Sequence, residues 1–170
     1  MPNTHIRLAP VSNSFFNLQA TLPYGLLLED VKATIKGVHQ LVYNLNKTIY
    51  RQISQRLEDL LMPATFSGEI SEVVVRQLSE HSTTLTRNLY HNGHPDLIPV
   101  GRYTGDSLQY GHEGVEIKAS RYAGGWQGHN PEKIWIMVFV FTMILISLTR
   151  MLCRLNSDNL FKLLKCWQVS

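Results

Sequence analysis

The stretch His94-Pro95-Asp96-Leu97-Ile98, followed by Glu113-Gly114-Val115-Glu116-Ile117-Lys118, decides how this chain is read. Residues 96–100 have the composition of a short strand. Residues 113–119 alternate, with Val115, Ile117 and Ala119 on one face and Gly114, Glu116 and Lys118 on the other. Side chains two apart on a strand point the same way, so Glu116 and Lys118 project together. If Asp96 lies on a neighbouring strand, two carboxylates and an ammonium converge. Glu113 is the competing acid, but parity sends it to the face opposite Lys118, so Glu116 is preferred.

Working outward, Ser67 is a good N-cap for a helix over residues 68–84 that buries Ile70, Val73, Val74 and Leu78. Glu69 and Glu72 would then sit in its first turns, where the helix dipole favours negative charge. Residues 85–90 begin a strand, and Asn92-Gly93 is a strong turn dipeptide. Gly101, Gly105 and Gly111 mark a connecting segment. Beyond Lys118 comes a glycine-rich polar loop, residues 120–132. Residues 134–141 are then rich in β-branched and aromatic side chains, as in a strand buried on both faces.

This pattern resembles the PD-(D/E)xK nuclease superfamily. The matching residues are Pro95-Asp96 and Glu116-Ile117-Lys118, with the two acids twenty positions apart. Gly68-Glu69-Ile70-Ser71-Glu72 is similar to the Gly-x-x-x-Glu helix start of Holliday-junction-resolvase-like members. The resemblance covers residues 67–141. It implies an α/β, restriction-endonuclease-like core, with a central mixed sheet flanked by helices. It also implies a Mg²⁺-dependent deoxyribonuclease, with Mn²⁺ as a substitute metal. Asp96, Glu116 and Glu72 would hold the metal, and Lys118 would position or activate the attacking water. Hard carboxylate oxygens suit Mg²⁺, and a lysine beside it can orient water or balance charge on the phosphorane. The implied DNA contacts are Ser120, Arg121, Trp126, Gln127 and His129 in the loop after the catalytic strand, with Arg102 a further candidate. Arginine and glutamine read base edges, and tryptophan stacks.

An alternative metal reading, His91-x-x-His94-x-Asp96 as a zinc cluster, lacks any cysteine or further histidine at ligand spacing.

Upstream, residues 1–25 contain Pro2, Pro10 and Pro23 and read as an irregular arm. Then Leu28, Val31, Ile35, Val38, Val42, Leu45, Ile49, Ile53, Leu57 and Leu60 form one apolar stripe that Pro63 should end. Unbroken, this helix would run roughly 50 Å, and a break near Gly37 or at Asn44-Leu45-Asn46 would shorten it. The stripe suits either a homodimer interface through residues 26–62 or packing within its own domain, and the second is expected. Three regions follow: an arm and helical region over 1–66, a nuclease-like core over 67–141, and an apolar, basic segment over 142–170.

Residues 134–149, which run from the core into that last segment, carry no charge. As a helix they would span roughly 24 Å, short of a hydrocarbon core of about 30 Å. A buried strand running into an apolar helix is expected instead, with a second short helix over 159–169. Such a tail departs from the superfamily pattern, which continues with a helix and another strand and finishes in polar surface.

At 170 residues the chain suits one domain, and 44% hydrophobic against 17% charged residues argues for a folded protein. Residues 1–133 hold 12 basic and 12 acidic residues, while residues 134–170 hold four and one, so the excess positive charge lies in the tail. Cys153 and Cys166 lack a CxxC context, and no secretory h-region is evident, so a reduced, cytoplasmic protein is expected. No P-loop is present, which excludes that route to ATP hydrolysis. The alternatives to a nuclease are a non-catalytic DNA- or partner-binding module of the same fold and a small membrane-associated protein.

Overall fold

A computed structural model describes residues 21–120, 134–142, 147–155 and 164–165, with isolated positions before residue 21. It is an α/β arrangement in which N-terminal helices pack on a mixed sheet.

Helix α1 spans Leu28–Ile53. Its start is fixed by Asp30, whose carboxylate accepts the Leu27 N–H at 3.1 Å. Val31, Ile35, Val38 and Val42 are buried, following the predicted stripe, but Leu45 and Ile53 further along it are exposed. The stripe is therefore buried mainly along the first half of the helix.

The break in this region differs from expectation. Neither Gly37 nor Asn44-Leu45-Asn46 interrupts the helix. Ser54 does, as a left-handed C-cap at φ 57°. A short α2, Leu57–Leu60, then folds back on α1. Asn46 holds it there: its amide donates to Glu58 Oε2 at 2.8 Å, and its Oδ1 accepts the Leu57 N–H at 2.7 Å. Both Asn46 and Glu58 are buried, so this polar contact lies out of water.

Pro63 begins a helix rather than ending one. Helix α3 runs Pro63–His81 with Pro63 in its first turn, where the missing N–H costs nothing. Ser67 is thus not an N-cap; it lies inside the helix, and its carbonyl accepts the Ser71 hydroxyl at 3.1 Å. Glu69 and Glu72 fall well past the first turn, so the dipole does not account for them. Phe66, Ile70, Val74, Val75 and Leu78 are buried, and α3 packs on both α1 and the sheet.

The strands are β1 Leu85–Arg87, β2 Leu97–Pro99, β3 Val115–Ser120, β4 Trp135–Thr142, β5 Ser147–Leu155 and β6 Leu164–Lys165. They lie in sequence order across the sheet. All neighbours are antiparallel except β3 and β4, which run parallel with Val115 opposite Trp135 and Lys118 opposite Val138. Val115, Ile117, Met137, Phe139 and Phe141 join the helices in the main core. Ile134, Ile136, Val138 and Val140 form a second apolar cluster. This is the predicted strand buried on both faces.

The expected helix after residue 141 is absent from residues 147–155, which form β5, paired with β4 across a register shift at Val140/Phe141. An unbroken apolar run satisfies a strand covered on both sides as well as a buried helix, and periodicity does not separate the two. The expected helix over 159–169 falls largely outside the described residues, and Leu164–Lys165, which lie within them, are strand. Among the described residues no helix is long and apolar enough to cross a membrane.

Candidate active site at the divergence of two strands

Strand β2 pairs with β3 only at Leu97–Val115, and then the two part. Beyond that point, the β3 edge has amides that no β2 residue meets. Side chains take them instead. Ile117 N–H donates to Asp96 Oδ2 at 2.7 Å, and Ala119 N–H donates to Ser71 Oγ at 2.9 Å. Asp96 thus closes the fork, and α3 is stitched to the far end of β3.

Gly114 makes this fork possible. It adopts φ +145°, and a Cβ there would lie 2.2 Å from the Leu97 carbonyl oxygen and 2.4 Å from Pro95 Cγ. Its N–H donates to the Tyr24 hydroxyl at 2.8 Å. The His94–Pro95 peptide is cis.

Three of the predicted residues come together here. Glu116 and Lys118 project from the same face of β3, as parity requires, and the Lys118 ammonium is hydrogen-bonded to Glu116 Oε1. Asp96 lies close enough to Glu116 for the two carboxyls to influence each other's charge. Burial, with the neighbouring Glu116 charge second, pushes the Asp96 carboxyl up to about 7. Hydrogen bonding to Glu116 acts in the same direction, and the Ile117 N–H and the Lys118 charge act against it.

Glu116 is buried, and its Oε2 has no hydrogen-bond donor among the described residues. His94 Nδ1 lies 3.1 Å from that oxygen, an ion-pair distance if the ring is protonated, but the ring N–H does not meet it in hydrogen-bonding geometry. His94 is held in place by stacking on Tyr110, with ring centroids 5.4 Å apart. It therefore lies in direct contact with the Glu116 member of the carboxylate pair.

Glu72 is not brought to this carboxylate pair. Its Oε2 accepts from Arg87 Nη2 at 3.1 Å, and both side chains are at least half exposed. Glu72 and Asp96 nonetheless line one open cleft. Among the described residues no three His, Cys, Asp or Glu side chains form a group able to hold a metal. Any metal here would rest on the two carboxylates, with phosphate and water completing its shell.

Glu113 stands apart, though not through strand parity: it precedes β3, which begins at Val115. It forms a two-point ion pair with Arg102, at 2.6 and 3.2 Å, on the surface. The pairing holds the Glu113 carboxyl below its usual range and raises the Arg102 guanidinium. Arg102 is therefore engaged with Glu113 rather than presented alone to DNA. Ser120 ends β3, while Arg121, Trp126, Gln127 and His129 lie outside the described residues.

Asn88 was not singled out from the sequence, yet it organises the loop leading to Asp96. Its buried amide donates to the carbonyls of Pro95 and Leu108 at 2.9 and 2.7 Å, and its Oδ1 accepts the Tyr90 and Leu108 N–H groups. The Asn88 N–H also donates to the Asp96 carbonyl at 2.9 Å. An asparagine in a run of polar loop residues carries no sequence signal for four such partners.

No protein family, curated protein or solved structure matches the chain.

Proposed function

We propose that this chain is a metal-dependent endonuclease that hydrolyses DNA phosphodiester bonds, built on a restriction-endonuclease-like core. The observation that supports this most is the pair Asp96 and Glu116 beside Lys118, with Glu116 Oε2 buried and lacking a donor among the described residues. Burial first, and the neighbouring Glu116 charge second, are why Asp96 takes up a proton so readily, and two carboxyls held this close out of water also repel each other. A divalent cation would relieve that repulsion and meet the orphaned oxygen.

Magnesium fits this donor set. It is commonly held by one or two carboxylates, with water and substrate phosphate supplying the rest. Bound there, it would polarise the phosphodiester and acidify a coordinated water. Asp96, already fixed by the Ile117 N–H, and Glu116 would hold the cation. The Lys118 ammonium would orient the attacking water and offset charge on the phosphorane. Glu72 would remain with Arg87 on the cleft wall.

The test is nicking of supercoiled plasmid in Mg²⁺ against EDTA, with wild type and Lys118→Ala compared. We expect metal-dependent nicking that the substitution lowers by at least a hundredfold. Equal activity in the two proteins would remove Lys118 from the mechanism, and cleavage undiminished by EDTA would remove the metal.

A further inference from the structure

The cleft beside Asp96 has a second wall that hydrolysis of the bond does not use. Glu72, Arg87, Asn88, Tyr90 and His91 line it together with Asp96, around a volume of about 520 Å³. Ligand sites of roughly 300–1,000 Å³ are typical for small molecules, a range that accommodates a nucleotide.

The loop forming this wall is fixed. Besides the four hydrogen bonds of the Asn88 side chain, the Leu89 N–H donates to the Asp106 carbonyl at 2.8 Å, and the Gly93 N–H to the Tyr90 carbonyl at 2.9 Å. A Cβ at Gly93 would stand 2.5 Å from both Asn88 Nδ2 and the Leu108 oxygen. Yet this tightly held loop leaves Leu89 65% and Tyr90 41% exposed. A fixed backbone that presents an aromatic ring to solvent has already met the ordering cost of a stacking contact. Arg87 stands half exposed beside it, and its bond to Glu72 uses one terminal nitrogen of a group with five donors.

We propose that this cleft holds one unstacked nucleotide of the DNA strand being cut. Tyr90 stacks on its base and Arg87 contacts its phosphate, while the scissile phosphodiester lies at Asp96 and Glu116. The inference rests on the nuclease reading and deepens it by naming the substrate as DNA with a single-stranded segment at the cleavage point. A base still paired in a duplex has its faces covered by its neighbours and cannot take the Tyr90 ring.

The experiment measures fluorescence anisotropy of a labelled 12-nucleotide single strand, and of the same sequence as a blunt duplex, with the full chain in Ca²⁺ and in EDTA. Wild type is expected to prefer the single strand in Ca²⁺. Tyr90→Ala should weaken that binding about tenfold, with Tyr90→Phe restoring it. Arg87→Ala should reduce the salt dependence by about one counterion. The inference is overturned if neither DNA binds, if the duplex binds equally well, or if Tyr90→Ala and Arg87→Ala both bind like wild type. Plasmid nicking by the same proteins separates the two claims. Tyr90-dependent binding with no metal-dependent nicking would sink the hydrolytic reading alone. Metal-dependent nicking with binding indifferent to Tyr90 and Arg87 would sink this one alone.

Discussion

The two faces of the sheet at β3 and β4 are built from the same alternation and put to opposite uses. Toward the helices, Val115 and Ile117 stand beside Met137 and Phe139, all almost fully buried. On the other face, the parallel register sets Glu116 beside Ile136 and Lys118 beside Val138. Ile136 and Val138 there are as dry as the core. The contrast explains the chemistry. A carboxylate pair flanked by apolar strand residues loses hydration, and that loss is the largest cause of the raised Asp96 carboxyl. One face gives stability at low electrostatic cost. The other gives up some of it to hold charge where water would otherwise quench it.

Substitutions on each face should divide along that line. Glu116→Gln, which keeps shape and removes the charge, should bring metal-dependent nicking below detection while leaving far-UV circular dichroism unchanged. Substantial residual nicking would take Glu116 out of the site. Phe139→Ala on the helical face should do the reverse. It should lower urea-unfolding stability by about 3–5 kcal/mol, as for other buried aromatics, without altering the activity of the fraction that remains folded. A loss under about 1 kcal/mol would mean the core does not close on that ring.

Asp96→Asn tests the cost of the polar face directly. A carboxyl with a raised folded-state value favours the protonated form, so its contribution is fully present below the unfolded value near 3.8. It is lost as pH rises through about 7. The amide can still accept the Ile117 N–H but never ionises. The metal-free variant should therefore gain stability over wild type between pH 4 and pH 8, by at most about 4 kcal/mol at about 1.4 kcal/mol per unit. It should also lose Mg²⁺-dependent nicking. Parallel stability curves across that range would show that Asp96 carries no such penalty. Smallest of all, Arg102→Ala breaks an exposed pair with Glu113 and should leave both the urea midpoint and nicking within error. A large effect on nicking would restore Arg102 as a DNA contact.

Much of this was legible in the chain because it depends on neighbours in sequence. Strand parity at residues 115–118 placed Glu116 with Lys118. The density of β-branched and aromatic residues at 134–141 marked a strand buried on both faces. Early apolar spacing marked α1. What failed depended on context. Pro63 is compatible with either end of a helix, and only the packing of Phe66 and Ile70 chooses the start. Ser54 ends α1 in a left-handed turn, and α2 then folds back onto Asn46, a side-chain contact eleven and twelve positions along the chain that apolar spacing does not report. The run after 141 satisfies helix and strand alike. The fork that positions Asp96 depends on β2 leaving β3 after one residue pair, and nothing in residues 96–118 announces where a pairing stops. The likeness to a nuclease superfamily rests on the motif and its placement, and nicking assays decide it.

The hydrogen bond from the Gly114 N–H to the Tyr24 hydroxyl joins positions ninety apart in the chain. It anchors the turn that opens β3 to the segment ahead of α1. The aim of β3 at Asp96 is therefore shared between neighbours in sequence and a contact reaching across the helical region.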